Sequence, residues 1–142
     1  MEAGPADADW AVGRRALAIG VILAVAAMHI LRLGTYLHGS LFRMYYAYAS
    51  DILVPTAMYF VLILTTGHVR FLDTWRAKAG LVFAAASFTE ILQACGVPIL
   101  GRTFDPLDFV MFAVGGLLAA GLDQGILALN TRKPRHGPRC CE

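Results

Sequence analysis

The sequence predicts an all-α fold: a polytopic membrane protein built as a four-transmembrane-helix bundle with both termini cytoplasmic. Three observations predict it. The 142 residues are 58% hydrophobic and only 15% charged, with a mean hydropathy of +0.61, whereas a soluble domain has about a quarter of its residues charged. The apolar residues gather into four runs, each near the roughly 20 residues that a helix needs to cross about 30 Å of hydrocarbon. None of the four carries the polar back face of a soluble bundle helix. Fourteen glycines without a three-residue period and six prolines exclude a collagen-like or low-complexity chain. A single domain over 1–142 leaves no room for a second.

The first run, about 16–33, is uncharged from Ala16 through Leu31. Arg14 and Arg15 before it resemble the start of a secretory leader, but the run exceeds the 7–15 residues of a signal core and no small-residue cleavage region follows before Arg32. We read it as a retained helix. The second run, about 44–66, carries Asp51 near its start and Pro55 one turn on. The third, about 79–100, carries Glu90 at its centre, and the fourth, about 108–129, has Asp123 in its last third. Between them, 34–43 and 67–78 are short connectors and 101–107 is a tight one. The segment 131–142 is a basic tail.

Charge sets the orientation. Arg14 and Arg15, then Arg70, Arg76 and Lys78, then Arg132, Lys133, Arg135 and Arg139 make nine of the twelve basic residues on one side. Arg32, Arg43 and Arg102 face the other. The positive-inside rule places both termini, and with them the tail, in the cytoplasm of a multi-pass plasma-membrane protein. Tyr45, Tyr46 and Tyr48 then form an aromatic belt at the outer surface, and Trp10 and Trp75 fall near the inner one.

A formal charge of +2 implies no nucleic-acid partner. Cys95, Cys140 and Cys141 form no spaced framework, so neither a disulfide scaffold nor a metal-ligand set is indicated. His29 has no second histidine within the apolar runs, and no haem, metal or other cofactor is expected.

Charged side chains in hydrocarbon cost at least about 2.5–3.5 kcal/mol on insertion scales, so each marks a candidate site. Glu90 has Gln93 at i+3 and Ser87 at i−3, three polar groups on one helical stripe. Its alternative role is a protonated side chain that glues two helices. Pro55 has no N–H for the carbonyl of Asp51, so one turn offers a carboxylate beside a freed backbone oxygen, able to hold a cation or ammonium group. A simple interface acid before a kink explains the same residues. In Arg102-Thr103-Phe104-Asp105-Pro106-Leu107-Asp108, Asp105 fits an N-cap, Pro106 the first helical position and Asp108 the N3 acid. Capping explains both aspartates without explaining Arg102, which can reach acids on the same side. Gly115/Ala119, Gly116/Ala120 and Gly121/Gly125 are small-residue pairs suited to close helix packing. Asp123 is read as structural, reaching the cytoplasmic interface. Asp51, Glu90, Gln93, Arg102, Asp105 and Asp108 are therefore the candidate ligand-binding residues, gathered on the outer half, and none is marked as catalytic.

The stretch T-E-I-L-Q (89–93), then G-R-T-F-D-P-L-D (101–108), then glycine seven residues on at Gly115, resembles the VanZ-like family of small bacterial membrane proteins. That pattern is a helix with E-x-x-Q, a short loop with arginine and aspartate, and a helix opening with Asp and continuing through Asn to Gly. Glu90, Gln93, Arg102, Asp108 and Gly115 match, and the likeness covers roughly 48–126. The chain departs at Phe112, where the pattern often has Asn, and the stretch from Gln93 to Arg102 is long. The resemblance implies a polytopic envelope protein, associated in the founding member with low-level resistance to teicoplanin, a glycopeptide acting on the cell envelope. It implies no particular reaction.

Three function classes stay open. In the first, an outward polar pocket binds a lipid or lipid-linked cell-wall precursor head group: Arg102 clamps phosphate or carboxylate, and the acids accept from an amine or sugar hydroxyls. In the second, Glu90 is the general acid/base of a membrane-embedded enzyme, although no nucleophile stands beside a base and no H-E-x-x-H, G-x-S-x-G or P-loop occurs. The third is a proton-coupled transporter subunit, which demands a homo-oligomer because four helices are few for a lone transporter.

Overall fold

The computed structural model describes residues 5–65, 69–97 and 105–131. Arg102 and the basic tail beyond Thr131 lie outside them. All secondary structure among the described residues is helical: α1 (Pro5–Ile30), α2 (Ser40–Met44), α3 (Ser50–Thr65), α4 (Trp75–Ala94) and α5 (Pro106–Thr131). Single 3-10 turns occupy Leu33–Tyr36 and Arg70–Asp73. A π-helical segment, Tyr45–Ala49, joins α2 to α3 without leaving helical backbone, so Ser40 to Thr65 is one rod of about 39 Å at 1.5 Å per residue. Four long helical pieces result, running alternately up and down.

α1 across Ala11–Ile30 and α5 across Pro106–Ala128 are long and apolar enough to cross a membrane. α3 is apolar but has 16 residues, and α4 has the length while carrying Arg76, Lys78 and Glu90. Among the described residues, two of the four expected spans thus meet both length and apolarity. Leu17, Leu23, Leu117, Leu118 and Leu122 are each more than 40% exposed, an outward apolar surface that a water-soluble bundle would bury.

Three boundaries differ from the sequence expectation, each for a local reason. α1 begins well before residue 16, taking Arg14 and Arg15 into the helix. α4 begins at Trp75 and not 79, because the Thr74 hydroxyl accepts the Ala77 N–H at 3.2 Å as an N-cap. It ends at Ala94 and not 100. Gly96 takes φ +82, its N–H donates to the Gln93 carbonyl at 2.9 Å, and the Val97 N–H donates to the Leu92 carbonyl at 2.9 Å. This paired closure is a Schellman motif, and only glycine adopts its left-handed position without strain. Glu90 therefore lies about 6 Å from the end of its helix, not at mid-span. At the fourth helix the expected cap is present: the Asp105 carboxylate accepts the Leu107 N–H at 2.9 Å.

α3 is the central element, packing on α1, α4 and α5, while α5 also packs on α4. The buried core is Ala18, Tyr59, Phe60, Ile63, Val82, Ala119 and Ala120. Within α5, Gly115, Gly116, Ala119 and Ala120 are buried and let the backbones close up, whereas Gly121 and Gly125 face outward.

Beside this core, at the end holding the N-terminal halves of α1 and α4, lies a buried ionic cluster. Asp123 of α5 is 1% exposed. Arg14 donates through Nε to Oδ1 at 2.8 Å and through Nη2 to Oδ2 at 2.9 Å, and the Tyr59 hydroxyl donates to Oδ2 at 3.0 Å. Lys78, also 1% exposed, stands 3.9 Å from Oδ2, donates to the Leu72 carbonyl at 3.2 Å and lies over the Tyr59 ring. Four helices meet on one carboxylate. The structural reading of Asp123 holds, but it does not reach the interface, and Arg14 and Lys78, placed by sequence in a flank and a connector, belong to α1 and α4 and join this cluster. Removing the acid leaves two cations without their shared counter-charge, so Asp123→Asn is expected to destabilise the protein by about 3–5 kcal/mol. Arg14→Lys, which keeps charge but loses the two-pronged geometry, should cost less. Thermal unfolding of purified protein followed by circular dichroism checks both; an unchanged midpoint for Asp123→Asn would refute the assignment.

Candidate functional site

The opposite end of the bundle gathers the acids. The start of α3 supplies Asp51, the last turns of α4 supply Glu90 and Gln93, and the start of α5 supplies Asp105 and Asp108. Antiparallel order brings these positions together: helices that begin at this end are joined to one that finishes here. The carboxyls of Asp51, Glu90 and Asp108 are near enough to act on one another electrostatically. Gln93, one turn on in α4, and Asp105 also lie in the neighbourhood of the Glu90 carboxyl. Five of the six expected ligand-binding residues are thus neighbours. Arg102, the sixth, is outside the described residues.

Burial is uneven across the group. Glu90 is 5% exposed, and among the described residues its Oε2 has no hydrogen-bond partner, nor has Ser87 Oγ one turn below. Asp51, Gln93, Asp105 and Asp108 are half-buried. A buried oxygen left unsatisfied costs about 1–3 kcal/mol, more when charged, and three adjoining carboxyls repel unless protons, a cation or hydroxyl donors come between them. The arrangement is therefore suited to accept hydrogen bonds from a ligand. No group of three or more acid, histidine or cysteine side chains among the described residues is placed to hold a metal ion.

Two local features shape this end. The Thr56 hydroxyl lies 2.8 Å from the Ile52 carbonyl and 3.1 Å from the Gly115 carbonyl, so its one proton is shared between α3 and α5. A Cβ at Gly115 would run into the Ile52 carbonyl oxygen, which makes glycine a requirement of the close approach. Phe112, one turn beyond Asp108, is buried and meets Phe109 edge-to-face with ring centres 6.4 Å apart. An aromatic pair therefore occupies the place where an amide could have reached Asp108. Pro55 does not end α3: the helix runs through it to Thr65, and the irregular backbone lies upstream at Tyr45–Ala49.

No protein-family model matches the chain, and neither a curated protein nor a solved structure matches it significantly.

The spacing of Asp51 from Asp108 depends on the α3–α5 contact. Gly115→Ala forces two backbones apart and is expected to cost about 1–3 kcal/mol. Gly121→Ala, with open space around its Cβ position, should be neutral or stabilise by up to about 1 kcal/mol through helix propensity. Equal melting temperatures for the two variants would contradict the packing role of Gly115.

Proposed function

We propose that the chain is a VanZ-like multi-pass protein of the bacterial plasma membrane whose carboxyl-rich end faces outward and binds the head group of a lipid or lipid-linked cell-wall precursor. The observation that supports it most is Glu90: a buried carboxyl with an unsatisfied oxygen, adjoining Asp51 and Asp108, about 6 Å from the end of its helix. That depth is where head groups meet acyl chains, and a carboxyl there is tolerated more readily than at the bilayer centre.

In this reading α4 crosses with α1 and α5. Its 20 residues reach about 30 Å, and Lys78, an obstacle to insertion if unpaired, enters compensated by Asp123, the Leu72 carbonyl and the Tyr59 ring. The α2–α3 rod supplies the fourth crossing. Taking Arg14 and Lys78 out of the orientation count leaves seven basic residues against three, so the cytoplasmic placement of both termini keeps its support. The carboxyls accept from an amine or sugar hydroxyls, Gln93 orients Glu90, and Arg102 clamps a phosphate or carboxylate on the ligand. A ligand of the cell-wall pathway would connect this site to glycopeptide susceptibility.

Expression in a glycopeptide-sensitive bacterium tests the site. Wild-type protein is expected to change teicoplanin susceptibility, and Glu90→Gln and Arg102→Ala to abolish the change at undiminished abundance. Variants that both behave as wild type would remove the pocket. The topology has its own check: a fluorescent reporter that folds only in the cytoplasm should light up when fused to the C-terminus, and a phosphatase active only outside should be silent there.

A further inference from the structure

A half-open cavity with mostly apolar walls and one cation at its edge lies between the end of α1 and the Tyr45–Ser50 stretch of the α2–α3 rod, separate from the carboxyl cluster. Its volume is about 440 Å³, and Met28, His29, Arg32, Thr35, Tyr45 and Ser50 line it. We infer that this cavity binds a phosphate ester of net negative charge, with the Arg32 guanidinium as its principal contact.

Charge is the first argument. Arg32 is a permanent cation, the lining contains no acid, and no carboxylate pairs with Arg32 among the described residues. Asp51, next in the chain to Ser50, is not among the lining residues. A planar guanidinium with free donors is the side chain best matched to two phosphate oxygens at once.

The second argument is that the cavity is held in shape before any ligand arrives. His29 donates from Nδ1 to the Val25 carbonyl at 2.8 Å, which leaves Nε2 to accept the Ser50 hydroxyl at 3.2 Å. One hydrogen-bonded chain thus ties α1 to α3 across the cavity floor. Arg32 itself has φ +48, a left-handed conformation that a residue with a Cβ adopts only under constraint. The constraint is visible: its N–H donates to the His29 carbonyl at 3.2 Å, and its carbonyl accepts both the Thr35 N–H and the Thr35 hydroxyl at 2.8 Å. The left-handed residue that closes α1 thus fixes where the Arg32 side chain leaves the backbone.

The third argument is depth, and it rests on α1 crossing the membrane, not on the carboxyl site. Arg32 lies two residues beyond the apolar stretch Ala11–Ile30, which puts it level with the phosphates of the adjoining leaflet. The Met28 side chain and Tyr45 ring give the cavity an apolar wall suited to the glycerol and first methylenes of a lipid. A lipid head group and inorganic phosphate present the same chemistry to Arg32; the depth and the wall favour the lipid.

Full-length protein purified in neutral detergent can be titrated with phosphatidylglycerol, with phosphatidylcholine of the same acyl chains, and with inorganic phosphate, counting bound molecules by native mass spectrometry. Wild-type protein is expected to retain phosphatidylglycerol over phosphatidylcholine, Arg32→Gln to weaken that binding at least tenfold, and Arg15→Gln to leave it unchanged. Inorganic phosphate that binds wild type and not Arg32→Gln would support the site and assign it to free phosphate. Equal retention of both lipids without phosphate binding, or Arg32→Gln binding as wild type does, would overturn it. Should Arg32→Gln lose its helical spectrum, Ser50→Ala is read instead: a loss of two- to fivefold supports the cavity, and no loss refutes it. These readouts are independent of glycopeptide susceptibility, so failure here and failure of the carboxyl site are distinguishable.

Discussion

The carboxylate of Asp123 has no route to water, and that constraint organises the molecule: a buried charge must be met by counter-charges and donors, and three other helices supply them. Arg14 from α1 takes both oxygens, Tyr59 from α3 donates to one, and Lys78 from α4 stands beside it. Apolar side chains alone do not specify helix order in lipid, since the lipid is as apolar as they are. A buried ionic contact does, because any other pairing leaves a charge uncompensated. α1 touches the rest of the bundle chiefly through α3, so Arg14 is the contact that holds its N-terminal half to α5.

With that end locked, the other is set by where the helices stop. Fifteen residues, about 22 Å of α5, separate Asp123 from Asp108. Over that distance the packing is small-residue and aromatic: Ala119 and Ala120 on one side, Phe60, Val82 and Phe112 around them. The two polar clusters are therefore spatially separate, one compensated internally and one composed mainly of acids. Gly96 decides where on its helix Glu90 sits. Had α4 continued through the apolar residues after Cys95, Glu90 would lie near mid-helix; the left-handed turn at Gly96 leaves it about 6 Å from the helix end.

Much of this was legible in the residues. Asp105-Pro106 reads as a helix start from its chemistry, and the structure has the capping hydrogen bond. The clustering of Asp51, Glu90, Gln93 and Asp108 comes from helix order alone, since antiparallel neighbours place alternate ends together. The signal missed at α4 was Gly96 with Pro98 two residues on, a stop mark submerged in an apolar run that hydropathy counts straight through. Arg14 and Lys78 were misplaced for a related reason. Orientation counting treats every basic residue near a helix end as solvated, but an acid as deep as Asp123 demands a partner, and those two lie at the same end on other helices. The cavity at Arg32 was less accessible: it depends on a left-handed residue and a π-helical turn, neither of which leaves a periodic trace.

The π-helical segment adjoins both the carboxyl cluster and the cavity at Arg32. An extra residue in the turns at Tyr45–Ala49 rotates α3 relative to α2, and π-turns are found preferentially where side chains must be re-aimed. Here the residues just beyond it, Ser50 and Asp51, have different neighbours: Ser50 meets His29 on α1, and Asp51 lies in the electrostatic neighbourhood of Asp108 on α5. Successive helical positions differ by about 100°, so one turn of α3 serves both sides of the rod at once. A ligand that displaced the Ser50–His29 contact would act on the same turn that positions Asp51. The start of α3 is thus the place where anion binding on the α1 side and head-group binding on the α5 side would be felt together, through a segment already departing from regular helix.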